Sequence, residues 1–264
     1  MATKIAIHGA AGRMGQRLIA LGVADPNVEI VGALDSSTHP STGVDAGIVA
    51  GVGEIGILVG SEMPTQVDAV IDFSVPTAAV AIGKACLQHE VPVVLATTGL
   101  TEQEQEQLDN VAESIAICQA PNMSLAVNLL MKLSQITGKA LAAHPTGADV
   151  EILERHHRFK EDAPSGTALA FGEIISQAMG QSRHQHGREG RPGQRPHGEI
   201  GYHAIRTGDN PGEHTIVFGL LGETIELRVA ATSRDCYAQG ALVAAQWLVG
   251  RSPGKYDIRD VLGL

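Results

Sequence analysis

The first half of the chain alternates short aliphatic runs with helix-like segments, and this alternation constrains the fold more than any other feature. "KIAIHG" predicts a buried strand, "AAGRMG" a glycine-rich turn and "QRLIALGV" a helix. A second strand, "VEIVGALD", ends at Asp35. "DAVIDFS", "VPVVLATTG" and "IAICQAP" predict three more strands, separated by the helical segments "PTAAVAIGKACLQHE" and "TEQEQEQLDNVAES". The proline suits a helix start, and Thr101 with Glu104 has the spacing of a capping box. Strands alternating with helices imply βαβ units and a parallel sheet. The strands are near-continuous Val, Ile, Leu and Ala, as expected where helices cover both faces. Residues 36–64 are Gly-rich and predict no regular element.

The second half reads differently. "SLAVNLLMKLSQITGKALAAH" is a long amphipathic helix, "DVEILERHHRF" alternates like a strand, and "SGTALAFGEIISQAMG" is another helix. "IGYHAIR", "EHTIVFGLLG" and "TIELRVAAT" then follow as strands without intervening helices, which predicts a mixed or antiparallel sheet in an α+β domain. Between them, residues 181–198 are polar, basic and rich in Gly and Pro, the composition of a flexible surface loop. The last helix, "CYAQGALVAAQWLVG", is apolar enough to return to the first domain. The expected organisation is a dinucleotide-binding domain over 1–124, rejoined by 235–264, and a second domain over 125–234. No internal repeat is visible.

Composition narrows the function classes. A chain of 264 residues, 44% hydrophobic and 18% charged, is of ordinary globular type. Aromatics are 3% of the chain, so stacking platforms for nucleic acid are not expected. A formal net charge of −10 argues against binding polyanions, and an anionic substrate would need a local cationic pocket. Cys86, Cys118 and Cys236 form an odd set without metal-type spacing, which suits a reduced cytoplasmic protein. The N-terminus shows no signal-peptide h-region, and no apolar run is long enough for a membrane span.

"HGAAGRMG" sets Gly9, Gly12 and Gly15 at three-residue spacing between a strand and a helix. Backbone without Cβ admits a pyrophosphate, and a helix N-terminus offers oriented N–H groups. The spacing departs from the dinucleotide fingerprint, and glycine turns also exist for packing alone. Context favours a cofactor: the turn follows a strand, opens a helix, and Asp35 stands 20 residues after Gly15, where a ribose-hydroxyl acceptor belongs. "ATTG" and "APNM" end the fourth and fifth strands, where ligands of open α/β sheets bind. Ordinary βα turns with Thr and Asn as caps would show the same residues.

"ERHHRFKEDAPSGTAL", Glu154 to Leu169, concentrates the remaining chemistry. On a strand His156 and His157 face opposite sides, unless a turn begins between them. Ser165, Gly166 and Thr167 open a helix, whose N–H groups and hydroxyls suit a carboxylate. Lys160 and one imidazole can neutralise a second carboxylate or donate a proton. The segment reads as a site for a small acid that must be protonated. No metal site is expected: no Cys or third His lies at ligand spacing, and Glu151 and Glu154 are too common a type to count.

This segment resembles the signature of the dihydrodipicolinate reductase family, E-hydrophobic-x-E-x-H-H-x-x-K-x-D-A-P-S-G-T-A. "GAAGRMG", "DFS", "ATTG", "APNMS" and "GEHTIVF" are similar to family motifs in the same order, so the resemblance spans essentially the whole chain. It implies a Rossmann-like nucleotide-binding domain and a mixed-sheet substrate domain that assembles a homotetramer. It implies reduction of a cyclic imine dicarboxylate by NADH or NADPH on the diaminopimelate route to lysine. His156 then matches the general acid/base and Lys160 the proton donor. His157, Ser165, Gly166 and Thr167 match positions around the substrate carboxylates. Gly9, Ala10, Ala11, Gly12, Arg13, Met14, Asp35, Ser36, Phe73, Ala96, Thr97, Thr98, Ala120, Pro121, Asn122 and Met123 match the cofactor contacts. Two positions depart from the pattern. Ser36 stands where many members carry Arg, which points to NADH over NADPH, and Ala96 replaces the usual Gly before Thr-Thr.

Other readings are a dehydrogenase of a small amino-acid precursor, of semialdehyde or homoserine type, and a nucleotide-sensing regulator. A phosphorylating semialdehyde enzyme needs a nucleophilic cysteine. Cys86 falls in a helix pattern and Cys118 inside a strand, so neither is poised for that role.

Overall fold

The structure is a computed structural model that describes residues 1–145 and 147–264. Its chain divides into two compact units, Met1–Leu125 with Asp235–Leu264, and Ala126–Arg234.

The first unit is built on seven parallel strands: β1 (Thr3–His8), β2 (Val28–Leu34), β3 (Val59–Gly60), β4 (Ala69–Asp72), β5 (Val93–Leu95), β6 (Ala116–Gln119) and β12 (Gly254–Tyr256). Their order is β12-β6-β5-β4-β1-β2-β3. The order reverses between β1 and β4, which makes the crevice beyond their carboxyl ends the expected ligand position. The helices are α1 (Arg13–Ala24), α2 (Ala46–Ala50), α3 (Pro76–Gln88), α4 (Glu102–Ala112), α7 (Asp235–Leu248) and α8 (Ile258–Val261). Two aliphatic clusters pack them on the sheet. One joins Ile5, Ile7, Leu18 and Ile19 to Ala241, Ala245 and Leu248 of α7, and the other joins Val70, Val93 and Leu95 to Ile82 and Leu108. The capping box forms: Thr101 Oγ1 accepts from Glu104 N–H, and the Glu104 carboxylate accepts from Thr101 N–H.

The second unit holds a mixed sheet in the order β11-β10-β7-β9-β8, from β7 (Asp149–His156), β8 (Arg183–His186), β9 (Glu199–Arg206), β10 (Glu213–Leu220) and β11 (Glu223–Ala230). β7, β8 and β9 run parallel, while β10 is antiparallel to β7 and β11. α5 (Leu125–Leu141) and α6 (Gly166–Met179) share a core with one face of the sheet, where Val127, Phe171 and Ile175 meet Val150, Ile152, Ile216 and Phe218.

Three segments differ from expectation. Residues 36–64 carry α2 and β3, organised by buried Asp45, whose carboxylate accepts from the N–H groups of Gly47, Ile48, Ile55 and Gly56. The supposed loop 181–198 contains β8. Its Arg188 and Arg195 bond to Glu151, and Arg188 also reaches the buried Glu199. Burial pushes the Glu151 carboxyl up, but Arg188, His203 and Arg195 outweigh it and hold it at about 2. The third is β12, which no sequence signal marked; it adds to β6 through Gly254↔Ala116 and Tyr256↔Cys118. Among the described residues, no helix is long and apolar enough to cross a membrane.

Candidate active site

Every residue expected to hold a cofactor lies just beyond the carboxyl end of a parallel strand in the first unit: β1 for Gly9 to Met14, β2 for Asp35 and Ser36, β4 for Phe73, β5 for Ala96 to Thr98, β6 for Ala120 to Met123. Gly9 has φ +76°, and a Cβ there would stand 2.6 Å from the Phe73 carbonyl oxygen. At Gly15 a Cβ would stand 2.1 Å from the Gly9 carbonyl oxygen. Only glycine lets the turn close on β4 and on itself. The N–H groups of the turn are partly committed. Gly9 and Ala10 donate to the Leu34 carbonyl, Ala11 to Asp35 Oδ2 at 2.9 Å, and Gly12 to the Gly9 carbonyl. The donors at the start of α1, on Arg13, Met14 and Gly15, have no carbonyl a turn earlier to bond, and no side chain caps the helix. An uncapped first turn reached over a Cβ-free loop fits a dinucleotide pyrophosphate. Asp35 also accepts from Ser36 N–H at 2.8 Å, which fixes its carboxylate beside the turn.

Two predicted contacts are used internally. The Thr97 hydroxyl donates to Asp72 Oδ2 at 2.6 Å, and the Met123 side chain is buried in the core. Sequence reasoning passed over Asp72, which is fully buried and also takes hydrogen bonds from His8 Nδ1 and the Ser74 hydroxyl, each at 2.6 Å. It ties the ends of β1, β4 and β5 together at the crevice. A cavity lined by Thr97, Thr98, Ala120 and Pro121 continues along β5 and β6 to Lys255 and Asp257.

The "ERHH" segment stands at the end of β7, in the second unit. Alternation puts Glu154 and His156 on the helix-covered face. The strand ends at His156, so His157 belongs to the following turn. Glu154 is 1% exposed. His156 Nδ1 donates to Glu154 Oε2 at 2.6 Å. From β9, Arg206 donates through Nη1 to Oε2 and through Nη2 to Oε1, both at 2.7 Å. Ser165 N–H donates to Oε1 at 3.0 Å. From β10, the His214 ring meets His156 edge-on at 5.3 Å. Burial pushes the Glu154 carboxyl up, but Arg206, His156 and the Ser165 N–H outweigh it and hold it below the ordinary range. Burial lowers His156, assisted by Lys160 and Arg206, and outweighs the raising effect of Glu154. Burial, with His156 and Lys160, takes His214 down to about 4.

The remaining predicted residues surround this core. Lys160 Nζ pairs with Asp162 at 2.7 Å. Arg234 Nη2 donates to His157 Nε2 at 3.3 Å. Ser165 is buried and caps α6 by accepting from Ala168 N–H at 3.1 Å, while its hydroxyl lies 3.1 Å from His214 Nε2. It is thus committed to the fold, and Gly166 and Thr167, in the first turn of α6, stand nearer solvent. Glu154, Arg206, His214 and Arg234 were not singled out as site residues from sequence. The Glu154–Arg206 pair spans 52 positions, and only the strand order reveals it. An imidazole with one nitrogen fixed on a carboxylate, beside a lysine, an arginine and a helix start, can bind a small anion and move a proton on it.

The fold and the turn before α1 define the class of Rossmann-like α/β proteins suited to a dinucleotide. Residues 3–123 match the family described as Dihydrodipicolinate reductase, N-terminus, and residues 126–262 that described as Dihydrodipicolinate reductase, C-terminus. A relative from Rhodopirellula baltica named 4-hydroxy-tetrahydrodipicolinate reductase is 55% identical over 268 residues, covering 98% of this chain and 96% of its own. One of the same name from Alkalilimnicola ehrlichii is 45% identical over 271 residues, covering 100% of both. The structure of a dipicolinate-bound dihydrodipicolinate reductase from Paenisporosarcina superposes with a TM-score of 0.76 at 22% identity, over 97% of this chain and 98% of that one. The chain belongs to the dihydrodipicolinate reductase family. Burial pushes the Cys86 and Cys118 thiols up to about 12 and also raises the partly buried Cys236, which disfavours a thiol-dependent alternative.

Proposed function

We propose that the chain reduces 4-hydroxy-tetrahydrodipicolinate to tetrahydrodipicolinate on the diaminopimelate route to lysine, the hydroxyl leaving as water to give the cyclic imine dicarboxylate dihydrodipicolinate that accepts the hydride. The observation that carries this is the buried His156–Glu154–Arg206 arrangement beside Lys160 and the start of α6. A dianionic substrate needs cations and N–H donors for its carboxylates, and Lys160, His157 and the first turn of α6 at Gly166 and Thr167 supply them. When bound, the nicotinamide cofactor supplies the hydride that reduces the conjugated ring. His156 Nε2, after taking up a proton with the help of Lys160, then delivers that proton to the resulting enamine and completes the reduction.

The first unit holds the cofactor. The N–H groups of Arg13 and Met14 would hold its pyrophosphate, and the Asp35 carboxylate would accept from its adenosine ribose. NADH is preferred over NADPH, since the Asp35 carboxylate repels a 2′-phosphate and Ser36, whose hydroxyl meets Thr38 Oγ1 at 2.9 Å, brings no cation. The protein works in the cytoplasm as a homotetramer. Support for assembly is the face of the second sheet opposite α5 and α6, which leaves Leu153 and Ile205 exposed.

The test is oxidation of NADH and NADPH with substrate freshly made by the preceding condensing enzyme, beside aspartate semialdehyde. Turnover confined to the first substrate supports the reading, and turnover of a semialdehyde or of none refutes it.

A further inference from the structure

Glu154 does more than stand beside a histidine. Its carboxylate accepts four hydrogen bonds: Arg206 Nη1 and His156 Nδ1 on Oε2, Arg206 Nη2 and Ser165 N–H on Oε1. That is about the full capacity of an ionised carboxylate. Its side chain is wholly buried. A charge taken so far from water persists only if paired and hydrogen-bonded, and Arg206 provides both. The clamp is itself anchored: Arg206 Nη2 donates to the Asp162 carbonyl at 2.7 Å and Nη1 to the Ile205 carbonyl at 2.8 Å. Parallel pairing sets Arg206 opposite His156 in the β7–β9 register.

This geometry has a chemical consequence. An ionised carboxylate accepts hydrogen bonds and donates none, so the 2.6 Å contact requires the proton on His156 Nδ1. The neutral ring then presents Nε2 as its basic nitrogen. We propose that Glu154, held by Arg206, is the positioning residue of this site, fixing His156 as the Nδ1–H tautomer with Nε2 left for proton transfer. The same carboxylate fixes the Ser165 N–H, so the orientation of the ring and the start of the substrate-facing helix are set by one group. Neither Glu154 nor Arg206 touches the substrate in this scheme. The claim rests on the proposed role of His156 for its meaning in catalysis, but the tautomer is a property of the free protein.

The groups that set the titration of His156 are few. Glu154 acts from its own strand, Arg206 from β9, His214 from β10, and Lys160 from the turn after β7. Only Glu154 is an anion, so neutralising it removes the one contact that favours the imidazolium. His156 in a Glu154→Gln protein must titrate at lower pH than in the wild type. A glutamine can also turn its NH2 toward Nδ1, which would admit the Nε2–H tautomer.

The experiment is long-range 1H–15N NMR on the full protein labelled at histidine, with His156→Gln used to assign the ring signals. In the wild type, the neutral His156 should carry its proton on Nδ1. In E154Q the Nε2–H form should appear and the titration should move to lower pH. The kcat should fall about ten- to a hundredfold, with the KM for NADH within about twofold. Arg206→Gln, which removes a cation that lowers His156, should instead move its titration to higher pH. Glu154→Asp, which keeps the charge, should recover part of the lost kcat. A wild-type His156 found neutral with its proton on Nε2 would overturn the proposal, even if no variant folded. So would an E154Q protein whose tautomer, titration and kcat match the wild type. If instead H156Q keeps full kcat while the wild-type ring is the Nδ1–H form, the positioning claim is supported and the catalytic reading of His156 fails.

Discussion

Thr167 and Asp35 each carry one of the proposed ligand contacts and are both partly exposed. Thr167 lies in the first turn of α6. Thr167→Val keeps the shape and removes a hydroxyl, so the KM for substrate should rise and the inhibition constant of a pyridine dicarboxylate should rise in parallel, by roughly five- to tenfold for one hydrogen bond. An unchanged inhibition constant would remove Thr167 from the substrate site. At the other ligand, Asp35 is held by the N–H groups of Ala11 and Ser36. Ser36→Arg should move preference toward NADPH, because a guanidinium clamps a phosphate through two hydrogen bonds. Arg13→Ala should weaken NADPH more than NADH. The check is kcat/KM for both cofactors at saturating substrate, and a wild-type preference for NADPH of about tenfold would contradict the argument from Asp35 and Ser36. One charge contact is worth on the order of 1–3 kcal/mol, so the native preference for NADH should be modest.

The elements show what a sequence can and cannot disclose. The alternation of strands and helices was legible because parallel strands covered on both faces are uniformly aliphatic, as "AVID" and "VVL" are. The turn at Gly9 to Gly15 was legible because steric demand leaves glycine alone. Gly15→Ala would set a methyl 2.1 Å from the Gly9 carbonyl oxygen, so α1 must shift from the turn. We expect a loss of about 1–3 kcal/mol in denaturant unfolding together with weaker NADH binding by fluorescence titration. Full retention of both would show that the turn has slack the structure does not. By contrast, α2 and β3 depend on one carboxylate, Asp45, that gathers N–H groups up to 11 positions away. β8 is held in a polar segment by Arg188 and Arg195 on Glu151, across 37 and 44 positions. β12 is three residues long and owes its form to β6. The "ERHH" motif pointed to the site, yet Arg206 and His214 reach it from strands read only as sheet. Long-range ion pairs and edge pairing leave no periodic trace.

Across the whole molecule, acidity should be the condition that exposes the cost of burying the site. His214 is 4% exposed and is held at about 4 in the folded protein, against an ordinary 6.5. Above 6.5 the ring is neutral folded and unfolded, and contributes no pH dependence. Below it the unfolded chain takes up a proton that the folded one refuses, so stability falls until about 4. The loss from this group alone is about 3 kcal/mol, and the lowered His156 adds to it in the same direction. Unfolding midpoints measured between these limits should decline, and His214→Gln should flatten the decline. Equal slopes in the two proteins would mean that other groups govern the acid limb.

Family membership, the fold and the buried histidine lead to one central claim, that His156 moves the proton that completes reduction of the imine dicarboxylate. The direct measurement is kcat of wild type and His156→Gln on freshly made substrate, with NADH affinity determined alongside. The account predicts a fall in kcat of about 10²-fold or more, with NADH affinity near wild type, and a comparable fall for Lys160→Ala. A His156→Gln enzyme that turns over at close to the wild-type rate would contradict it.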